Sequence, residues 1–249
     1  MKERLRSLTR KTLSVSARRR LARYACWPPV GWARLGSLRR LAPISPYWGT
    51  ERGLPVDRYY IERFIAAHAS DIQGHGLEVK EDLYTTRYGG DRVKKIDIVH
   101  PEEGNPKATI VADLTRANNL PSDTFDFIIL TQTLHLIYDV RAAVDTLYRV
   151  LKPGGILLTT VSGISKISRD DMDRWGHHWA FTTRSAERLF HEFFPKRNVK
   201  VESHGNVLAA IGFLHGLASE DLRCQELDYY DPDFQVLISI RAMKPKATR

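Results

Sequence analysis

The sequence predicts an α/β protein with a doubly wound, mostly parallel sheet. Two observations carry this. Strand-like and helix-like segments alternate from residue 76 onward, and FDFIILTQTL (125–134) has the near-continuous apolar core of a strand buried on both faces. Length agrees, since 249 residues at 43% hydrophobic and 27% charged suit one soluble domain with extensions.

The chain opens on a basic arm. Residues 1–42 hold 12 Lys/Arg and one acid, Glu3, a balance of +11; the whole chain is +9, so the rest is −2. Leu5, Leu8, Val15 and Leu21 give a loose helical face, and WPPVGW (27–32) interrupts it because paired prolines cannot continue a helix. Four readings of the arm stay open: a solvated tail, a membrane-surface or partner-docking segment, a nucleic-acid contact, and an organelle transit peptide. No apolar run approaches 20 residues and no apolar core follows the basic start, so neither a membrane-spanning helix nor a secretory signal is expected. Cys26 and Cys224 could pair, but two cysteines make neither a disulfide framework nor a metal cluster. A reducing cytoplasm is the simplest setting, with peripheral membrane contact through the arm left open. We divide the chain into an arm (1–48) and a body (49–249).

In the body, GLPVDRYYIERFIAAHASDI (53–72) predicts a helix: Pro55 suits a first turn, and Tyr60, Phe64, Ile65 and His68 fall at helical spacing. Strands are predicted at 76–79, 93–100, 108–114, 125–134, 155–161, 199–205 and 234–243. Between the fourth and fifth, Val140, Val144, Leu147 and Leu151 mark one helix face, and KPGG stops it. SAERLFHEFF (185–194) is the next helix. No clear crossover helix separates the last two strands, which predicts an antiparallel, hairpin-like edge.

Ligands of open parallel sheets bind beyond the carboxyl ends of the strands. Those ends carry Glu78, Asp97, Asp113-Leu114 and Thr131-Gln132, with His135 just beyond. A carboxylate after the second strand can accept both hydroxyls of a ribose, and one after the third can accept an adenine amine. Chain segments without G-x-S-x-G or G-x-x-x-x-G-K-[ST] give no support to a hydrolase elbow or a P-loop.

With these residues in place, the stretch 76–161 resembles class I S-adenosylmethionine-dependent methyltransferases of the methyltransferase-11-like group. DTFDFIILTQTLHLIYDVRAAVDTLYRVLKPGGILL (123–158) is the most specific piece, resembling that family's fourth strand, turn, helix, PGG turn and fifth strand. RGLPVDRYYIERF (52–64) and DMDRWGHHWAFTTRSAERLF (171–190) are similar to a branch often associated with bacterial surface-glycan or secondary-metabolite pathways. The resemblance implies a Rossmann-like, seven-stranded sheet with an antiparallel strand 7, S-adenosyl-L-methionine as cofactor, and a small-molecule or glycan acceptor, taken here as a hydroxyl.

The first loop departs from the family pattern of acid-x-Gly-x-Gly-x-Gly. Aligned on Glu78, the glycine positions hold Lys80, Asp82 and Tyr84. We expect Gly89 and Gly90 to supply the close backbone approach instead, with Tyr84 or Tyr88 covering the cofactor. The resulting cofactor set is Glu78, Tyr84, Gly89, Gly90, Asp97, Asp113, Leu114, Thr131 and Gln132. The competing expectation is a closed loop and a catalytically inactive, scaffold-like protein.

A hydroxyl acceptor calls for a base, and histidine suits neutral pH. His135, His177 and His178 are the candidates, with Asp171 and Asp173 behind them. His177 and His178 lie in the stretch 163–184, read as an insert closing the substrate side. Adjacent histidines on an extended segment point apart, so no metal site is assigned. A nucleic-acid methyltransferase using the arm is a further alternative, disfavoured by a body at −2 that lacks a broad positive groove.

Overall fold

A computed structural model of the chain describes residues 32–246 and the isolated positions Ser14, Ala17 and Pro28. The rest of the arm, including Cys26 and the loose Leu5/Leu8/Val15/Leu21 face, lies outside the described residues. Two compact units separate at residue 42/43, so the body begins at Pro43, six residues before the sequence boundary at 49. Within the first unit the described stretch contains one 3-10 turn, Gly36–Leu38.

The body is built on a seven-stranded sheet in the order β3-β2-β1-β4-β5-β7-β6. The strands are β1 (Gly74–Val79), β2 (Val93–His100), β3 (Ile110–Val111), β4 (Phe125–Thr131), β5 (Leu151–Ser162), β6 (Val199–His204) and β7 (Leu237–Met243). β1 to β5 pair in parallel, and β7 lies antiparallel between β5 and β6. The expected Rossmann-like sheet with an antiparallel strand 7 is therefore present.

Helices cover both faces. α1 (Val56–Ala67) buries Val56, Tyr60, Ile61, Phe64 and Ile65 on one side of the sheet. The other side is covered by α3 (Val140–Val150), whose Val144, Leu147 and Val150 pack among the residues of β4 and β5, and by α5 (Thr183–Phe190). Asp139 starts α3 by accepting the Ala142 N–H at 3.1 Å, and Thr182 starts α5 through a reciprocal cap with Ser185.

Five elements differ from the sequence expectation. β3 is two residues long rather than seven: the Thr109 hydroxyl takes the Ile98 N–H before it, and Asp113 turns the chain after it by accepting the Arg116 N–H. α2 (Leu83–Gly89) occupies what was expected to be a loop. Between β6 and β7 run α6 (Val207–His215) and α7 (Cys224–Asp228), so this antiparallel pair is not a hairpin. α4 (Arg169–Arg174) forms within the insert, capped by the Ser168 hydroxyl.

The central strands leave no room for a side chain at Gly76. A Cβ there would sit 2.0 Å from Cζ of Phe127 on the neighbouring β4, and Phe127 is fully buried. Gly76→Ala is expected to destabilise the body by about 1–3 kcal/mol, and Phe127→Leu in the same chain to restore part of the loss. Denaturant titration of the two variants and the double variant checks it; additive losses would contradict the contact.

Candidate active site

The carboxyl ends of β1 to β5 open into one cavity of about 900 Å³. This lies within the range of small-ligand pockets. β1 contributes the turn that departs from the glycine pattern. Glu78, only 2% exposed, accepts the N–H groups of Tyr84 at 3.0 Å and Thr85 at 2.9 Å. Its carboxylate thus caps α2 from the strand, while the Asp82 side chain at the helix start accepts no backbone N–H and takes the Thr86 hydroxyl at 3.2 Å. Burial pushes the Glu78 carboxyl above the usual carboxylate range, and the two N–H groups oppose that shift.

Lys80, at the first glycine position, has φ +70°. The backbone adopts the left-handed turn that a glycine would take, at a cost of roughly 1–2 kcal/mol for a side chain. Two hydrogen bonds hold it there: its N–H donates to Val99 O at 3.0 Å and its carbonyl accepts from Asn105 Nδ2 at 2.7 Å. The Lys80 side chain is solvent-exposed. Tyr84 is buried among the α1-side core, and its hydroxyl accepts from Arg58 Nη1 at 2.7 Å. Both line the cavity and neither fills it.

Asp113, Leu114, Thr131, Gln132, His135, His177 and His178 also line the cavity, joining Glu78 and Tyr84. Asp113 is exposed and shapes its own turn by accepting from the Thr115 N–H and hydroxyl, both at 2.9 Å. Gln132 takes φ +49°, and its Oε1 is buried without a hydrogen-bond partner among the described residues.

Three expected residues stand outside this wall. β2 continues three residues past Asp97 to His100, so Asp97 falls short of the strand end. Its carboxylate is tied to His75 Nε2 at 2.7 Å, Lys95 Nζ at 2.9 Å and Thr109 Oγ1 at 3.0 Å. Burial raises its pKa, but those three partners outweigh that and hold it below the usual range. Gly89 and Gly90 sit at the far end of α2, one α-helical stretch of about 9 Å away from the capped start. Gly89 gives room to Val93 and Ile72, and Gly90 ends the helix at φ +56°. Tyr88 packs against the α1-side core and does not line the cavity.

The insert closes the other side. It leaves β5 at Ser162 and returns where the Phe181 N–H donates to the Ser162 carbonyl at 3.0 Å. His178 N–H donates to His135 O at 2.9 Å, and Trp179 Nε1 to the Ile137 carbonyl at 3.0 Å, so the insert is clamped to the turn after β4. The His135 and His177 rings lie 4.9 Å apart, and Nδ1 of each is buried without a partner among the described residues. Burial lowers the His135 pKa to about 4, with the His177 ring adding to the shift. Burial also lowers His177, and the Asp171 charge opposes it. Asp171 lines the cavity, while Asp173 instead pairs with Arg169 at 3.2 Å. The His178 ring meets Tyr138 edge-on at 5.4 Å.

Several lining residues escaped the sequence reading. Asp57 and Arg58 enter from the start of α1; Gln132 Nε2 donates to Asp57 at 3.3 Å, and burial raises the Asp57 carboxyl above its ordinary range. From the end of β2 come His100 and, two residues on, Glu102; from the insert come Trp175, edge-on to His100 at 5.9 Å, and Arg174, 3.9 Å from Glu102. Lys166 stands over the Trp48 ring at 3.7 Å and donates to the Pro46 carbonyl; burial lowers its pKa. Among the described residues no three His, Cys, Asp or Glu side chains converge to hold a metal.

Residues 74–159, about a third of the chain, match the family model described as a methyltransferase domain. The matched segment carries β1 to β4 and most of β5, and the body shares the fold of solved S-adenosylmethionine-dependent methyltransferases. A solved S-adenosylmethionine-dependent methyltransferase from Archaeoglobus fulgidus shares the fold at TM-score 0.53 and 12% identity, over 80% of this chain and 100% of that one. The N-methyltransferase NodS of Bradyrhizobium japonicum, solved with S-adenosylhomocysteine, aligns at TM-score 0.50 and 14% identity over 79% and 91%. The cyclase SpnF aligns at 0.51 and 16% over 79% and 85%. Among curated proteins, "Probable polyketide synthase 5" of Dictyostelium discoideum is 31% identical over 78 residues, which is 30% of this chain and 3% of that protein.

The lowered His135 pKa makes a pH prediction. A histidine depressed in the folded state binds fewer protons than in the unfolded chain between about 4 and 6.5, so its stabilising contribution is present above that window and lost as pH falls through it. Removing the group should therefore flatten part of the acid dependence. His135→Asn is expected to lose less stability than the parent between pH 6.5 and about 4 in paired denaturant titrations. Parallel curves would contradict a neutral, buried His135.

Proposed function

We propose that this chain is an S-adenosylmethionine-dependent methyltransferase that transfers a methyl group to a hydroxyl of a small-molecule or glycan acceptor. The observation that carries this reading is the His135–His177 pair on the cavity wall, His135 buried and His177 half-buried, with their rings 4.9 Å apart. The chain's residues fit the cofactor. Arg58 and Asp57 would hold the amino-acid end, a guanidinium for the carboxylate and a carboxylate for the ammonium. Asp113 and Leu114 would take the adenine, and Thr131 and Gln132 would lie beside the sulfonium, with the free Gln132 Oε1 as a dipole facing it. Glu102 replaces Asp97 as our choice for the ribose hydroxyls, because it lies beyond the end of β2 on the rim.

Bound S-adenosylmethionine supplies a methyl group already activated by the sulfonium charge. What remains for the protein is alignment and proton removal. His177, beside Asp171 and less buried than His135, is the base that accepts the hydroxyl proton. His135 stays neutral and fixes the ring opposite it. His178 forms the wall with Tyr138 rather than the base. The insert excludes water by its clamp to the His135 turn. The acceptor's glycan or secondary-metabolite origin is part of the same reading, supported by the likeness of the 52–64 and 171–190 stretches to that branch. The setting would be cytoplasmic, with residues 1–42 as a peripheral membrane contact and no nucleic-acid role.

Filling of the cavity by Lys80 or Tyr84 would favour the scaffold alternative; Lys80 is exposed and Tyr84 turns onto Arg58. Calorimetry with S-adenosylhomocysteine tests the choice. Micromolar binding is expected for the parent, with Arg58→Ala weakened about tenfold or more through loss of a buried charged contact. His177→Ala should bind the ligand as the parent does, yet lose about 10²-fold in turnover with any accepted hydroxyl compound. No heat of binding at millimolar ligand to a folded parent would sink the enzyme reading.

A further inference from the structure

α6 is unlike the other helices of the body. The stretch NVLAAIGFLHGLA (206–218) has no Asp, Glu, Lys or Arg. One side of α6 packs inward through Ala209, Ala210 and Phe213. The other side carries Val207, Leu208, Ile211 and Leu214, exposed by 47, 39, 38 and 39%. At about 100° per residue these four fall on one face. The face is uncovered in the described body.

Two features on the page say what covers it. First, the body starts at the C-terminal end of α6: the Ile44 and Ser45 N–H groups donate to the His215 carbonyl at 2.8 and 3.1 Å. The 42 residues attached there carry the +11 balance. An apolar helix face joined at its end to a strongly basic segment matches the chemistry of an anionic lipid surface, which takes apolar side chains between its headgroups and cations at its charged plane. Second, the same corner borders the cavity. Phe213 of α6 and Trp48 line it, and Lys166 of the insert rests on Trp48 and on Pro46.

We propose that the Val207/Leu208/Ile211/Leu214 face docks on an anionic membrane, held by the basic arm, and sets the cavity beside the bilayer surface. Membrane docking does not depend on the methyltransferase reading. If both hold, the acceptor is one presented at a lipid surface, with its hydroxyl reaching into the cavity past Phe213.

The test is cosedimentation of the full chain with phosphatidylcholine vesicles, with and without phosphatidylglycerol, in low and high salt. Binding is expected only with phosphatidylglycerol, and to weaken with salt. The double variant Leu208→Ser, Ile211→Ser removes exposed apolar groups and should fold with an unchanged thermal midpoint. It is expected to partition at least about tenfold more weakly. A single Ile211→Cys variant labelled with an environment-sensitive dye should shift to the blue on the same vesicles. Failure of the full chain to bind, or equal binding by the double variant, overturns the proposal. A concentration-dependent dimer that the double variant abolishes, with no vesicle binding, assigns the face to a second copy and overturns it equally. Calorimetry with S-adenosylhomocysteine on the double variant keeps the two readings separate, since ligand binding should be unaffected.

Discussion

The carboxylate of Glu78 holds the site together. It sits at the end of the central strand, out of water, and receives two N–H groups from the first turn of α2. Charged hydrogen bonds of this kind contribute about 1.5–3 kcal/mol each, enough to outweigh the left-handed backbone of Lys80 that they help impose. A glycine loop achieves such a turn through conformational freedom. Here the turn is imposed by a buried acceptor on one side and by the Val99 and Asn105 contacts on the other. Its consequence is spatial: Lys80 turns outward, Tyr84 turns inward onto Arg58, and the strand ends stay open between them.

The second constraint is the clamp between the turn after β4 and the insert. A backbone bond from His178 to His135 sets the His135 and His177 rings 4.9 Å apart, tilted by 44°. Burial keeps His135 uncharged, so the pair does not repel itself at neutral pH. The cavity is thus bounded by a strand-capped turn on one side and a clamped insert on the other, with α1 supplying the opposed charges Asp57 and Arg58.

Much of this was legible in the sequence. The β4–α3–β5 unit announced itself because FDFIIL is apolar without a break and Val140/Val144/Leu147 keep helical spacing; the helix ends at Val150, and PGG falls inside β5 instead of closing it. Glu78, Asp113, Thr131, Gln132 and His135 were legible because strand ends are where sheet ligands bind. Asp97 was misplaced because nothing local marks β2 as running on to His100. Gly89 and Gly90 were misread because LYTTRYG has no apolar periodicity, and its helix depends on a cap six residues upstream that only the folded strand delivers. Asp57 and Arg58 reach the cavity through packing of α1, which spacing along the chain cannot express. α6 was missed for the opposite reason: apolar on nearly every side, it has no amphipathic rhythm.

Lys80 takes the left-handed backbone of a glycine at the end of β1, and Lys80→Gly probes that turn directly. If Lys80 holds φ +70°, glycine relieves the left-handed strain, which roughly offsets or exceeds its own entropy cost of about 0.5–1 kcal/mol. Paired denaturant titration and S-adenosylhomocysteine calorimetry should then give unchanged or higher stability and undiminished binding. A loss of about 1 kcal/mol together with lost binding would instead place Lys80 in an ordinary extended conformation.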